Sequence, residues 1–185
     1  MNDTFYFIIS GLSHLSIVIT TLIDRNKSKL KYGIGHYLIF IAMFVRIKSS
    51  YRYDLLPTIF GSIGHNMLIS YFITTTFIND MNPKSIGFYF NILHIIGQIG
   101  MVILYLYLYI ENHIIRDKYK LKKIIKITEY ISFGISSLFF MYNVIKTKDI
   151  KHVIANLLMT ITSIYALYKS IELKRNIEQD ESYLQ

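Results

Sequence analysis

Residues 85–110 read SIGFYFNILHIIGQIGMVILYLYLYI, 26 positions without one charged side chain. At about 1.5 Å per residue, a helix of that length is longer than the ~30 Å hydrocarbon core of a bilayer. A membrane strand would alternate apolar and polar residues over about ten positions, and this run does not. Helix is the state that pairs every backbone group within its own segment, which hydrocarbon requires. The stretch therefore predicts a transmembrane helix.

Five other runs flank it. They place spans at about 5–23, 32–47, 55–78, 86–110, 127–145 and 150–171, with a polar C-terminal tail over 172–185. The second and fifth are short alone, and their flanking Lys, Arg and Tyr extend them to headgroup level. The first has Asp3 ahead of it, no basic leader and no small-residue cleavage site behind it, so it reads as a retained span. The expected fold is all-α: one integral membrane bundle of about six transmembrane helices with short loops. Connections such as Asp80–Lys84, with its Asn82-Pro83 turn, leave no room for a separate domain. A soluble helical bundle is the alternative, but so many uncharged runs exceed an ordinary helix of about 11 residues that the membrane is favoured.

Composition narrows the chemistry. The chain has 185 residues, is 52% hydrophobic and contains no cysteine. Disulfides, thiolate metal sites, iron–sulfur clusters and a thiol nucleophile are excluded. The net charge is +8, from 20 Lys and Arg against 12 Asp and Glu. These charges lie between apolar runs, with no aromatic–basic module or phosphate-binding loop, so no nucleic-acid partner is expected. The partner is the lipid bilayer. Twelve basic residues fall on the amino-terminal side and eight on the other, which leans towards cytosolic termini. Within the basic segment 113–126, Ile114, Leu121 and Ile125 alternate with Lys118, Lys122 and Lys126; a short amphipathic helix on anionic headgroups and a solvated basic loop fit equally. Frequent Ile, Lys and Asn match an AT-rich genome, and a viral origin would make the membrane a host's. Oligomeric state is not readable.

Polar residues inside the runs carry the functional signal. His14, His65 and His94 each sit eight to ten residues into their spans, which places all three rings near one depth if the spans alternate in direction. Asn66, Asn91 and Gln98 lie nearby in sequence. His36 and His152 fall near the opposite rim. His65 and His94 are the candidate catalytic residues, with His65 as general base and His94 orienting it. His14, Asn66, Asn91 and Gln98 complete the candidate polar site. Proton relay, metal ligation and haem ligation all use midplane histidines. Carboxylates are missing at that depth, so no metal or other cofactor is expected. Most Ser, Thr and Gly in the spans read as helix-packing residues, and each histidine taken alone has the same plain reading.

Tyr51-Arg52-Tyr53-Asp54 before the third span, His65 within it, Leu93-His94 in the fourth, and Asn156 in a last span ending on Lys169, Lys174 and Arg175 form a pattern over about residues 33–175. In this the chain resembles TLC-domain membrane proteins, the group that includes ceramide synthases. The resemblance implies a helical membrane fold and a lipid-related role. It departs from the catalytic members, which pair histidines where Asn66 follows His65 and place acidic residues where Ile95 and Gln98 stand near His94. Two other readings stay open: a small transporter or channel with a histidine-lined path, and a non-catalytic membrane-organising protein.

Overall fold

The computed structural model describes the backbone of residues 4–48, 55–113 and 118–182. Among them the secondary structure is helical throughout: α1 (Thr4–Asp24), α2 (Leu30–Lys48), α3 (Leu55–Ile73), α4 (Ile86–His113), α5 (Lys118–Lys146) and α6 (Ile150–Ser182). A 3-10 turn, Lys27–Lys29, leads into α2, and a π-helical segment, Thr74–Ile78, prolongs α3. Each helix packs on its neighbours in the chain, and α6 closes the ring against α1. At that closure the Ser13 hydroxyl lies 2.6 Å from that of Thr162.

The helices are inside-out relative to those of a water-soluble protein. On α4, Ile86, Tyr89, Leu93, Ile96, Ile103, Leu106 and Ile110 recur at spacings of three, four and seven and are all exposed. The opposite face carries His94, Gln98, Met101 and Tyr105, all buried. A helix with an apolar outside and a polar inside is stable where the surroundings are apolar. Thr4–Asp24, Lys27–Ile47, Ile86–Tyr107 and Ile150–Lys169 are each long and apolar enough to cross a membrane. By these helices the chain is a membrane protein.

Three boundaries differ from the sequence reading. The connection expected over 111–126 is mostly helix: α4 runs on to His113, and α5 starts at Lys118. Neither Glu111–His113 nor Lys118–Lys126 holds a Gly or Pro, which suits both described stretches to helix. Lys118–Lys126 thus forms the first turns of α5, while Ile114 lies outside the described residues. At the other end, α6 continues through most of the 172–185 tail, whose Leu, Lys, Arg, Glu and Gln are good helix formers. Tyr51-Arg52-Tyr53-Asp54 lies outside the described residues.

The start of α6 is fixed by Asp149. Its carboxylate accepts from the Lys151 N–H at 2.9 Å, and its carbonyl accepts from the Val153 N–H at 3.0 Å. This is an N-cap, which satisfies amide groups the first helical turn leaves open. The Lys151 N–H, followed by the Lys151 ammonium, holds the Asp149 carboxyl below its ordinary pKa. A depressed folded-state pKa means that the cap's contribution is present at neutral pH and is lost as pH falls through that lowered value. Asp149→Ala should therefore lower the melting temperature of detergent-solubilised protein at pH 7. Asp149→Asn, which keeps the acceptor, should restore most of it. Equal melting of the alanine variant and the parent would show that the cap contributes nothing.

Candidate functional site

The ring of helices encloses two levels of polar residues. The deeper is a cavity of about 50 Å³ to which all six helices contribute. His14 comes from α1, His36 from α2, His65 from α3 and Gln98 from α4. All four side chains are buried. Phe140 of α5 and Met159 and Thr162 of α6 complete its walls.

Two hydrogen-bonded groups meet there. In the first, His14 Nδ1 and His36 Nδ1 lie 2.8 Å apart. One ring must donate and the other accept, so at least one is a neutral imidazole. In the second, Gln98 bridges two histidines. Its Oε1 accepts from His65 Nδ1–H at 2.5 Å, and its Nε2–H donates to His94 Nε2 at 3.2 Å. An amide oxygen only accepts and an amide nitrogen only donates. With the amide in this orientation, His65 is protonated at Nδ1, and His94, accepting at Nε2, is neutral with its proton on Nδ1. The outer nitrogens, His36 Nε2, His65 Nε2 and His94 Nδ1, have no hydrogen-bond partner among the described residues. Each such buried atom costs about 1–3 kcal/mol unless something else satisfies it. The cavity beside His36 and His65 has the capacity for a few waters, since each needs about 10–15 Å³ of it.

Glycines bring these rings together. A Cβ on Gly35 would stand 2.9 Å from the Gly64 carbonyl oxygen, and one on Gly64 would stand 2.8 Å from that of Gly35. The α2 and α3 backbones touch at this point. His36 and His65 are the next residues in each chain segment, so the contact carries both into one cavity. On the amino-terminal side, Tyr105 packs over Gly61, and its ring lies 5.5 Å from that of His65. The Arg46 guanidinium covers Tyr105 at 4.3 Å from the ring centroid and approaches Phe7 at 5.8 Å. A cation over aromatic faces closes this end of the interior.

On the other side an aromatic layer separates the histidines from the second level. Phe139 stacks on His94 at 3.9 Å, Phe72 meets His94 edge-on at 4.6 Å, and Tyr32 meets His36 at 4.5 Å. Beyond it lies a vestibule of about 240 Å³ lined by Thr20, Thr75, Asn91, Asn143 and Asn156, among others, with Lys29 and His152 at its rim. Asp24 holds both rim residues, at 2.9 Å from Lys29 Nζ and 2.7 Å from His152 Nε2. Asp149 lies 3.5 Å from the other ring nitrogen of His152. Asp24, Asp149 and His152 have the atom types of a metal site, but Lys29 already occupies the same Asp24 oxygen, which opposes a second cation there.

The expected site residues thus divide. His14, His65 and Gln98 share the deep cavity, and His94 joins them through Gln98. Asn91 lines the vestibule instead, bonded to Thr76 in the π-helical segment at 3.1 Å. Asn66 does not belong to the site: it is exposed and donates to the Ser62 carbonyl of its own helix at 2.9 Å. The Thr58-Ser62-Asn66 row advances four residues per step, about 400° of rotation, and so drifts ~40° around the helix each time. Thr58 is buried, and two steps later Asn66 has turned outwards.

His36 is the residue that sequence reasoning placed at the rim. The 3-10 turn explains the difference. Three residues at about 2.0 Å and six at about 1.5 Å bring His36 some 15 Å from the rim, the depth that ten residues of α1 give His14. A signal was present: Ile34-Gly35-His36 and Ile63-Gly64-His65 repeat one tripeptide in two successive helices. Comparison with known proteins gives no match to any family model, curated protein or solved structure.

Proposed function

We propose that this is a multi-pass membrane protein whose six helices all cross the bilayer and whose histidines relay protons along an internal path. Continuous helix over residues 55–78, made of α3 and the π-helical segment and free of charged residues, supports a fifth span beside the four apolar ones. The apolar half of α5 supports the other. The observation that carries the reading is the convergence of His14, His36 and His65 on one cavity, with Gln98 tying in His94. A neutral imidazole takes a proton at one nitrogen and releases one from the other, so paired rings with unpartnered outer nitrogens suit transfer between water-sized sites.

A lipid-handling role, implied by the TLC-domain resemblance, would need a lipid carbonyl or hydroxyl beside His65. A cavity of about 50 Å³ suits water better than an ester group with its chain. Proton relay is therefore favoured.

Purified protein in liposomes loaded with a pH-sensitive dye tests the reading. An imposed gradient of about one pH unit should collapse faster than in protein-free liposomes, and His65→Ala should return the rate to that of the lipid alone. Liposomes that stay as proton-tight with the protein as without it would refute the relay.

A further inference from the structure

The vestibule is lined by amide and hydroxyl oxygens whose lone pairs face a shared space. Asn143 and Asn156 turn Nδ2 back onto carbonyls of their own helices, those of Phe139 at 3.0 Å and His152 at 2.7 Å. A carbonyl only accepts, so the amide orientation is fixed and Oδ1 faces away from the helix. Asn91 directs Nδ2 to Thr76 Oγ1 and to the Met81 sulfur at 3.4 Å, which commits both of its N–H groups. The Thr20 and Thr75 hydroxyls donate to Ser16 and Tyr71 carbonyls at 2.7 and 2.8 Å, leaving only lone pairs. These five residues come from α1, α4, α5, α6 and the π-helical extension of α3, and all line one cavity.

Such a surface presents acceptor lone pairs from several helices and favours a guest that brings donors. The Lys29 charge at the rim is matched by Asp24 at 2.9 Å and leaves the oxygens available. The volume, about 240 Å³, far exceeds what a bare alkali ion fills. Tyr32, Phe72 and Phe139 line the same space. Oxygen acceptors combined with aromatic rings are the pair of features that hold an organic ammonium group, by hydrogen bonds and by cation–π attraction.

We propose that the vestibule binds a primary ammonium group, carried by a small amine or by an ethanolamine lipid headgroup. This goes beyond proton relay: the site stands apart from the histidines, across the aromatic layer.

Calorimetric titration of the full-length protein in detergent with ethylammonium chloride tests it, with ethanol as the neutral isostere and potassium chloride as the inorganic cation. Ethylammonium should bind at least tenfold more tightly than either. Asn143→Leu should weaken it at least tenfold, and Asn143→Asp, which adds a charge in nearly the same shape, should tighten it. Misfolding cannot produce those opposite shifts. Repeating the titration in nanodiscs separates the two carriers. Weaker binding with phosphatidylethanolamine than with phosphatidylcholine identifies the lipid headgroup as occupant, and equal binding identifies a free amine; either supports the site. Binding of ethanol or potassium within threefold of ethylammonium, or indifference to both Asn143 variants, overturns it. Because His65→Ala should leave this binding unchanged, loss of proton flux and loss of ammonium binding are separable results.

Discussion

Gly64→Ala is expected to destabilise the bundle by about 3 kcal/mol, at the upper end of overpacking costs. The new Cβ would stand 2.7 Å from Ile39 Cγ1, 2.8 Å from the Gly35 carbonyl oxygen and 3.1 Å from the Ile39 amide nitrogen. Two of those three atoms are backbone, so no rotamer change relieves them, and α2 and α3 must separate. Gly35→Ala meets the same obstacle from the other side, at 2.9 Å from the Gly64 carbonyl oxygen. The double variant should cost less than the sum of the two, because one separation of the helices relieves both clashes. Gly134→Ala is the control: nothing lies within 4 Å of its added Cβ. That change should be neutral or stabilise by up to about 1 kcal/mol through helix propensity. Unfolding midpoints measured by far-ultraviolet circular dichroism in mixed micelles decide the matter. If Gly64→Ala and Gly134→Ala melt together, the α2–α3 backbone contact is not as described. The same substitution should also impair proton flux, since it shifts His36 and His65, each bonded to a displaced glycine.

The membrane-embedded helices were legible because hydrocarbon imposes a one-dimensional rule: length and absence of charge suffice, as in residues 85–110. Ends of helices were less legible, because charge stops a span without stopping a helix. Lys118–Lys126 and residues 172–182 are polar and still helical. For the site, sequence spacing predicts a common depth for His14, His65 and His94 but not the direction in which a side chain points. Asn66 follows His65 directly, yet a step of about 100° turns it from the interior to the outside. Gln98 lies four residues from His94, the separation at which side chains on one helix face meet, and that spacing made it legible. His36 needed the geometry of a three-residue turn that hydropathy does not register. Pairing across helices, such as Asn91 with Thr76, depends on a π-helical segment that adds a residue to one turn and so rotates the chain beyond it. No local pattern announces that segment.

Gln98 is the residue on which the inner relay turns, and its variants should separate structure from proton transfer. Gln98→Leu removes the acceptor of His65 Nδ1–H and the donor to His94 Nε2 together. Two buried polar atoms lose their partners, at about 1–3 kcal/mol each, so a stability loss of several kcal/mol is expected. Proton flux in liposomes should fall to the level of lipid alone. Gln98→Glu makes the sharper test. At a pH high enough to ionise the new side chain, a carboxylate accepts but does not donate, so His94 can meet it only by presenting Nε2–H. His65 keeps its bond unchanged, while His94 must move its proton from Nδ1 to Nε2. Nitrogen-15 spectra of histidine-labelled protein distinguish the two tautomers directly. The parent should show Nδ1–H for both His65 and His94, and the glutamate variant should show Nε2–H for His94 alone. An Nε2–H signal for His94 in the parent would mean that the amide runs the other way round and that the relay is reversed. Full flux in Gln98→Leu would mean that protons do not pass through this bridge at all. A neutral amide between the two rings holds both histidines as neutral tautomers, and that suits them to an interior where an isolated charge is costly.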